Sequence, residues 1–346
     1  MQRRAALAAL LAAAALPRVR ARAATPLSDR SWLDPKLLAA ARAEGTVTVY
    51  SSINEEEAAP LWQIFKDATG LAVEYVRGSD DALMARILVE ARSQRRTWDI
   101  VNNTSVSKMS PALFVQFDPV GARRWPAELR DPDRRWYATE QIYDVPSYNT
   151  TRIKASELPK SYEEFLKHPE WAGHVAINDS DSAWIAGIYK TYGDDKGKAL
   201  VQNLVATLKP ALLSGHLAVA RAVGSGEYWI ALNNYISLTM NAKLAGSPTD
   251  FWVLNPATVF FGQVGIGARA PHPNAALLAA SFLLGKDAQR QITVRGRLPV
   301  RSDVPSNPPD VRSRFNGKHV VSEELDPADE EKWSNLYTQL VGRAPH

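Results

Sequence analysis

The chain has 346 residues, 41 Lys and Arg against 37 Asp and Glu, 45% hydrophobic residues and no cysteine. The missing thiols exclude a disulfide framework, thiolate metal sites, a cysteine nucleophile and a lipid-modified cysteine. A chain of this length exceeds what one hydrophobic core usually supports, so two lobes are the natural division.

Residues 1–23 read as a signal peptide. Arg3 and Arg4 precede an alanine-leucine run over 5–15, and Ala21-Arg22-Ala23 offers a small-x-small cleavage site. The run is too short to span a bilayer. The paired arginines leave export by the Sec or the twin-arginine route open. Five basic residues and no acidic ones lie in this segment, which leaves 36 against 37 in the remainder. The basic isoelectric point therefore belongs to the leader and gives no ground for nucleic acid or an anionic membrane as partner. No second hydrophobic span follows, so the mature chain is expected outside the cytoplasm.

Asp34 followed by Pro35 has the form of an N-cap and a first-turn proline, opening a short helix that stops at Gly45. Residues 47–101 then read as a βαβαβ unit. VTVYSS is a strand, NEEEAAPLWQIFKDATG a helix with Leu61, Ile64, Phe65 and Ala68 on one face, and LAVEYV a second strand. RGSDDALMARILVEARS is a second helix with Leu83, Met84, Ile87, Leu88 and Ala91 on one side, and WDIV closes as a third strand. Alternating strands and helices imply a parallel sheet with a ligand crevice at the strand C-termini. The loops there hold Tyr50-Ser51-Ser52, Gly78-Ser79-Asp80 and Asn102-Asn103-Thr104-Ser105. The first two open helices whose free N–H groups favour an anion. Each hydroxyl or amide serves equally well as a simple helix cap.

After this unit the sequence becomes rich in Pro, Asp and aromatics, and 142–148 is where the chain is expected to leave the first lobe. In the second region Ser161 is placed to cap a helix YEEFLKH, HVAI is a strand, and NDSDS leads into another helix. YWIAL and FWVLNPATVFFGQVGIGA are strand-like, NAALLAASFLL is a helix, and DEEKWSNLYTQLV is a last amphipathic helix with Trp333, Leu336 and Leu340 inward. Glu55-Glu56-Glu57 at a helix start complements the dipole rather than marking a cation site.

The order of AEGTVTVYSS, FKDATGLAVEYV, WYATEQIYDVPSYNTTRI, LPKSYEEFLKHPEWAGHVAI, GSGEYWIALNNY and APHPNAALLAASFLLGKDAQRQITVRGRLPVRSDV resembles the type II periplasmic solute-binding proteins of ABC importers, within them the ferric-iron-binding protein group. The resemblance implies an α/β fold of two lobes, each a mostly parallel sheet flanked by helices, joined by crossover strands. It also implies a ligand enclosed by hinge closure and an ABC permease in the inner membrane as partner. The first lobe is expected over 25–141 plus 265–316 and the second over 142–264 plus 317–346. Nucleic acid is not an expected partner, and the chain is expected to act as a monomer.

Iron-binding members hold Fe(III) with an adjacent tyrosine pair after an Asn, in the segment matching LNNYISL. Here Asn233 and Asn234 precede Tyr235, but Ile236 follows, so one phenolate of the pair is missing. Tyr50, Tyr137, Tyr143 and Tyr148 are the candidates to supply another. Fe(III), if bound, is cargo with Tyr235 as a ligand, and no resident cofactor is expected. The alternative is a small organic or phosphorylated anion held by Ser51, Ser52, Ser79, Asn103 and Ser105 from the first lobe and by Asn178, Ser180 and Ser182 from the second. The candidate ligand-binding set also includes Tyr50, Tyr143, Asn234 and Tyr235.

No catalytic residue is expected. Ser105-Val106-Ser107-Lys108 matches S-x-x-K, yet S-D-N, K-T-G, G-x-S-x-G and H-E-x-x-H are all absent. The six histidines are scattered without ligand spacing. Delivery of ligand to a sensor or chemoreceptor is the alternative to import, and a secreted hydrolase ranks last.

Overall fold

The structure is a computed structural model describing residues 29–95, 97–121, 125–322 and 327–342. The expected signal peptide lies outside the described residues. Helix α1 (Pro35–Glu44) opens as its sequence dictates: Asp34 accepts the Leu37 N–H at 2.8 Å, and Gly45 ends it at φ 82°. There follow β1 (Thr46–Ser51), α2 (Glu55–Thr69), β2 (Ala72–Arg77), α3 (Asp80–Arg92) and β3 (Ile100–Asn103). β1 lies parallel to both β2 and β3, which is the expected βαβαβ unit.

The chain crosses over in β4 (Trp136–Asn149). It then forms β5 (Val175–Asn178), α4 (Ser182–Tyr192), α5 (Asp194–Leu208), β6 (Ala211–Leu213), α6 (His216–Ser225), β7 (Ile230–Tyr235), α7 (Ile236–Leu244) and β8 (Thr249–Phe251). It returns in β9 (Ala257–Ile266) and ends with α8 (Pro273–Leu284), α9 (Lys286–Thr293), β10 (Leu298–Pro299), β11 (Val320–Ser322) and α10 (Pro327–Leu340). The strand order is β2-β1-β3-β9-β4-β7-β5-β6, so one sheet runs through the molecule. Its two ends are parallel, and antiparallel β4 and β9 join them. Two extended strands bridging two parallel halves make a natural hinge, because bending them moves each half as a body.

Each half has its own core. In the first, Trp32, Trp62, Phe65 and Phe282 pack ring on ring, with Trp32 and Phe282 centroids 5.0 Å apart. In the second, Tyr162, Phe165, Trp171 and Trp184 pack with Trp333 and Tyr337 of α10. Truncating a fully buried ring such as Phe282 to Ala should cost about 3–5 kcal/mol.

Two local expectations need correction. The YEEFLKH segment is a short 3-10 turn over Glu163–Lys167, and Ser161 provides no side-chain cap to it. Pro169 disfavours helical geometry at the preceding His168, which sits at φ −119° and ends the segment. On α3, Leu83 and Ile87 are buried, but Leu88 is 41% exposed, because β1 and the Trp98 cluster cover only a narrow stripe of that helix.

Candidate functional site

Residues past the C-terminal ends of β3 and β5 meet across the crossover strands and enclose a cleft of about 540 Å³. From the first half come Asp80, Thr104, Ser105 and Lys108, and from the second Ser180, Asp181 and Tyr235. Phe260 and Gln263 of β9 form the floor, and Glu330 of α10 stands at the side. A larger cavity of about 1250 Å³ near Trp32 and Lys286 lies away from these strand ends. Most of the charges around it are already paired, Arg134 with Asp118 and both Arg301 and Lys286 with Asp303.

The floor and walls are fixed by amide side chains. Gln263 accepts the Ser107 N–H at 2.8 Å and donates to the Ser107 hydroxyl at 2.9 Å, which locks the turn after β3. Asn103 accepts the Ser105 N–H at 3.0 Å in the same turn. Thr104 donates its hydroxyl to Asp80. In the second half Asn178 accepts from the Gly215 N–H at 3.0 Å and donates to the Ser180 carbonyl at 2.6 Å, tying the β5 loop to the start of α6. Asp181 caps α4 by accepting the Trp184 N–H at 3.0 Å and accepts from the Asn233 amide at 2.7 Å.

Beneath Tyr235 lies a cluster that the sequence spacing conceals. Asp144 of β4, Asp181 and His216 are all buried, and each offers a ligand atom within 4.8 Å of the others. The His216 ring stacks on Tyr235 with centroids 3.6 Å apart, and Phe260 meets Tyr235 edge-on at 5.1 Å. His216 Nε2 lies 3.0 Å from the Asn178 amide nitrogen and 3.7 Å from Asp181 Oδ2. Burial pushes the imidazole below its usual pKa, against the pull of Asp181 and Asn234. Burial, then the charges of Asp181, Asp144, Asp80 and Glu330, push the Tyr235 phenol well above its usual value. Five carboxylates line the cleft, Asp80, Asp81, Asp181, Glu330 and Glu331. Among the described lining residues Lys108 is the one cation, and it pairs with Glu330.

The structure brings Ser105, Ser180, Ser182 and Tyr235 of the expected set to this cleft. Ser79 is the exposed cap of α3, accepting from the Ala82 N–H at 3.3 Å. Ser51 is buried and accepts the Ile53 N–H at 3.2 Å, while Ser52 is half-buried beside it. Asn178 and Asn103 shape the walls as described, and Asn234 is buried, accepting from the Tyr235 N–H at 2.9 Å. Two expectations are corrected. Tyr50 points into the core under α3, where its hydroxyl bonds Glu90 at 3.0 Å, because its position in β1 faces that helix. Tyr143 packs on Phe315 at 4.0 Å, on a cluster away from the cleft. Tyr137 and Tyr148 are likewise taken up elsewhere, Tyr137 bonding the Phe117 carbonyl and Tyr148 packing edge-on against Trp252. No second tyrosine joins Tyr235 among the described residues lining the cleft.

The sequence profile of the bacterial extracellular solute-binding protein family matches residues 99–318. The iron uptake protein A1 of Synechocystis sp. is 25% identical over 285 residues, covering 75% of this chain and 77% of its own. The solved structure of iron-bound HitA from Pseudomonas aeruginosa superposes with a TM-score of 0.69 at 21% identity, covering 85% of this chain and 99% of that one. The periplasmic binding protein AfuA from Actinobacillus pleuropneumoniae, solved with fructose-6-phosphate bound, gives 0.72 at 16% identity over 86% of this chain and 98% of that one. The likeness to the solved structures shows the two-lobed binding-protein fold. A profile match over more than half of the chain, to a fold with a cleft between its halves, makes this protein a member of the bacterial extracellular solute-binding protein family.

Proposed function

We propose that the protein is the periplasmic receptor of an ABC importer and that its cargo is a hard, highly charged metal cation, ferric iron in particular. The observation that carries this is the charge of the cleft, five carboxylates against Lys108 around a single tyrosine. Carboxylate and phenolate oxygens with an imidazole nitrogen are donors that such an ion favours. An anion entering the same space would meet like charge on both walls. Tyr235 would be one ligand, and Asp144, Asp181 and His216 form the oxygen and nitrogen set beneath it. We read the first lobe as 25–141 plus 265–316 and the second as 142–264 plus 317–346. The separate aromatic cores, with Phe282 in one and Trp333 in the other, support that division. Cargo touching both lobes would close the hinge by its differential affinity for the closed form.

The test is titration with ferric nitrilotriacetate after unfolding and refolding to strip carried ligand. A visible phenolate-to-iron band and a raised melting temperature are expected, and Tyr235→Phe should lose the band. A thousandfold excess over Kd corresponds to about 4 kcal/mol of added stability, well within reach of a thermal shift. A shift with phosphorylated sugars or phosphonates and none with iron would refute the reading. That outcome is the second reading, an anion on Lys108 and the hydroxyls of Ser105, Ser180 and Ser182, which lie together on the cleft wall.

A further inference from the structure

We infer that Lys108 is a tethered counter-cation that occupies the acidic cleft in the absence of cargo and sets how charged a cargo must be to displace it. This deepens the cationic reading of the cleft and rests on it. Lys108 ends the 3-10 turn Val106–Lys108 after β3, in the first half of the molecule. Its ammonium reaches across to Glu330 of α10, in the second half. Glu330 also accepts the Ser182 hydroxyl at 3.1 Å at the start of α4. The Lys108 backbone is not free to drift, since the double Gln263–Ser107 pairing fixes the preceding residue to the floor strand.

Five lining carboxylates with no counter-charge would repel one another as the lobes approach. One ammonium on a long, flexible stem, paired with Glu330, relieves part of that repulsion. A monovalent cargo gains little by replacing a charge equal to its own. A trivalent ion at the same carboxylates gains far more, because the attraction scales with charge. Lys108 therefore works as a filter for charge density, and Glu330 is the group handed from lysine to cargo.

The test uses the whole mature chain with Lys108→Met and Lys108→Arg. The probes are terbium(III) luminescence and ferric nitrilotriacetate competition, with circular dichroism to establish folding. Lys108→Met should bind terbium(III) about tenfold more tightly than the native chain, the size expected for removing one partly solvated like charge from a cation site. It should also begin to bind a monovalent organic ammonium such as tetramethylammonium, while Lys108→Arg stays near the native affinity. Unchanged or weaker terbium binding by Lys108→Met overturns the inference while leaving the cationic cleft standing. Inorganic phosphate binding that disappears in Lys108→Met overturns it as well, by making the lysine an anion ligand. Failure of both metal probes to bind either protein removes the cationic reading itself, and this inference with it.

Discussion

Arg297 offers the sharpest test of how the first half is tied to the hinge. Its guanidinium donates to both oxygens of Glu140 at 2.8 Å and to Glu57 at 2.6 Å; Glu140 is buried, and the side chains of Arg297, Glu140 and Glu57 are only 11%, 6% and 9% exposed. Burial alone would lower the pKa of the arginine, but Glu140 and Glu57 raise it overall. Glu57 stands in the first turn of α2, and Glu140 sits at an irregularity in the pairing of β4 with β9, so the triad fastens the start of that helix to the crossover strand. Arg297→Met keeps the stem volume and removes the charge, stranding two buried carboxylates. Breaking a buried pair in this way should cost about 3–5 kcal/mol. At roughly 2–4 °C per kcal/mol for chains approaching this size, the melting point should fall by about 6–20 °C. Calorimetry, with urea denaturation as a second measure, would read the change. The triple variant Glu57→Gln, Arg297→Met, Glu140→Gln separates stranded charge from lost packing and should recover more than half of the loss. A fall below about 1 kcal/mol in Arg297→Met, or no recovery in the triple variant, would refute the argument that uncompensated charge is the cost.

Two further outcomes follow from neighbouring contacts. A Cβ on Gly262 would lie 2.6 Å from Cγ of Glu140, a side chain held in place by Arg297. Gly262→Ala should therefore destabilise by about 1–3 kcal/mol, and by less in an Arg297→Met background, where Glu140 can move; strictly additive urea midpoints would contradict this. For Asp250, burial acts to raise the carboxyl pKa, but hydrogen bonds from Lys243 and Arg314 outweigh it and leave the group below its usual value. Its contribution to stability is thus full above the unfolded carboxyl pKa and fades as pH falls through the folded one. Asp250→Asn should cost on the order of 2 kcal/mol at pH 7 and flatten the acid limb of the stability profile, and a parallel, unflattened profile would count against the pairing.

The elements were readable where a local rule decides them. Asp34 with Pro35 announced α1, and helical spacing of Leu61 and Phe65 announced α2, because both signals act within a turn or two of the chain. The cleft was less readable, for a reason that Tyr50 makes plain. β1 is covered on both faces, with Val49 in one core and Tyr50 in another. A residue still paired in the ladder, as Tyr50 is with Val76 and Val101, points at a face and not out of the strand's end. In β3 and β5 it is the residues beyond the last pair that reach the cleft, Thr104 and Ser105 in one loop and Ser180 and Asp181 in the other, where they meet Tyr235, Phe260 and Gln263 of the central strands. Choosing near the strand ends by hydroxyl and amide content selected the still-paired Asn103 and Asn178, which the turns consume in holding themselves together. The acids were present in the same loops, Asp80 beside Ser79 and Asp181 within NDSDS, and they carry the charge of the site. His216 and Asp144 had no such local signal. They join Asp181 only because β4 and β5 flank β7 in the sheet, and strand order of that kind is fixed by long-range pairing that no window of sequence contains.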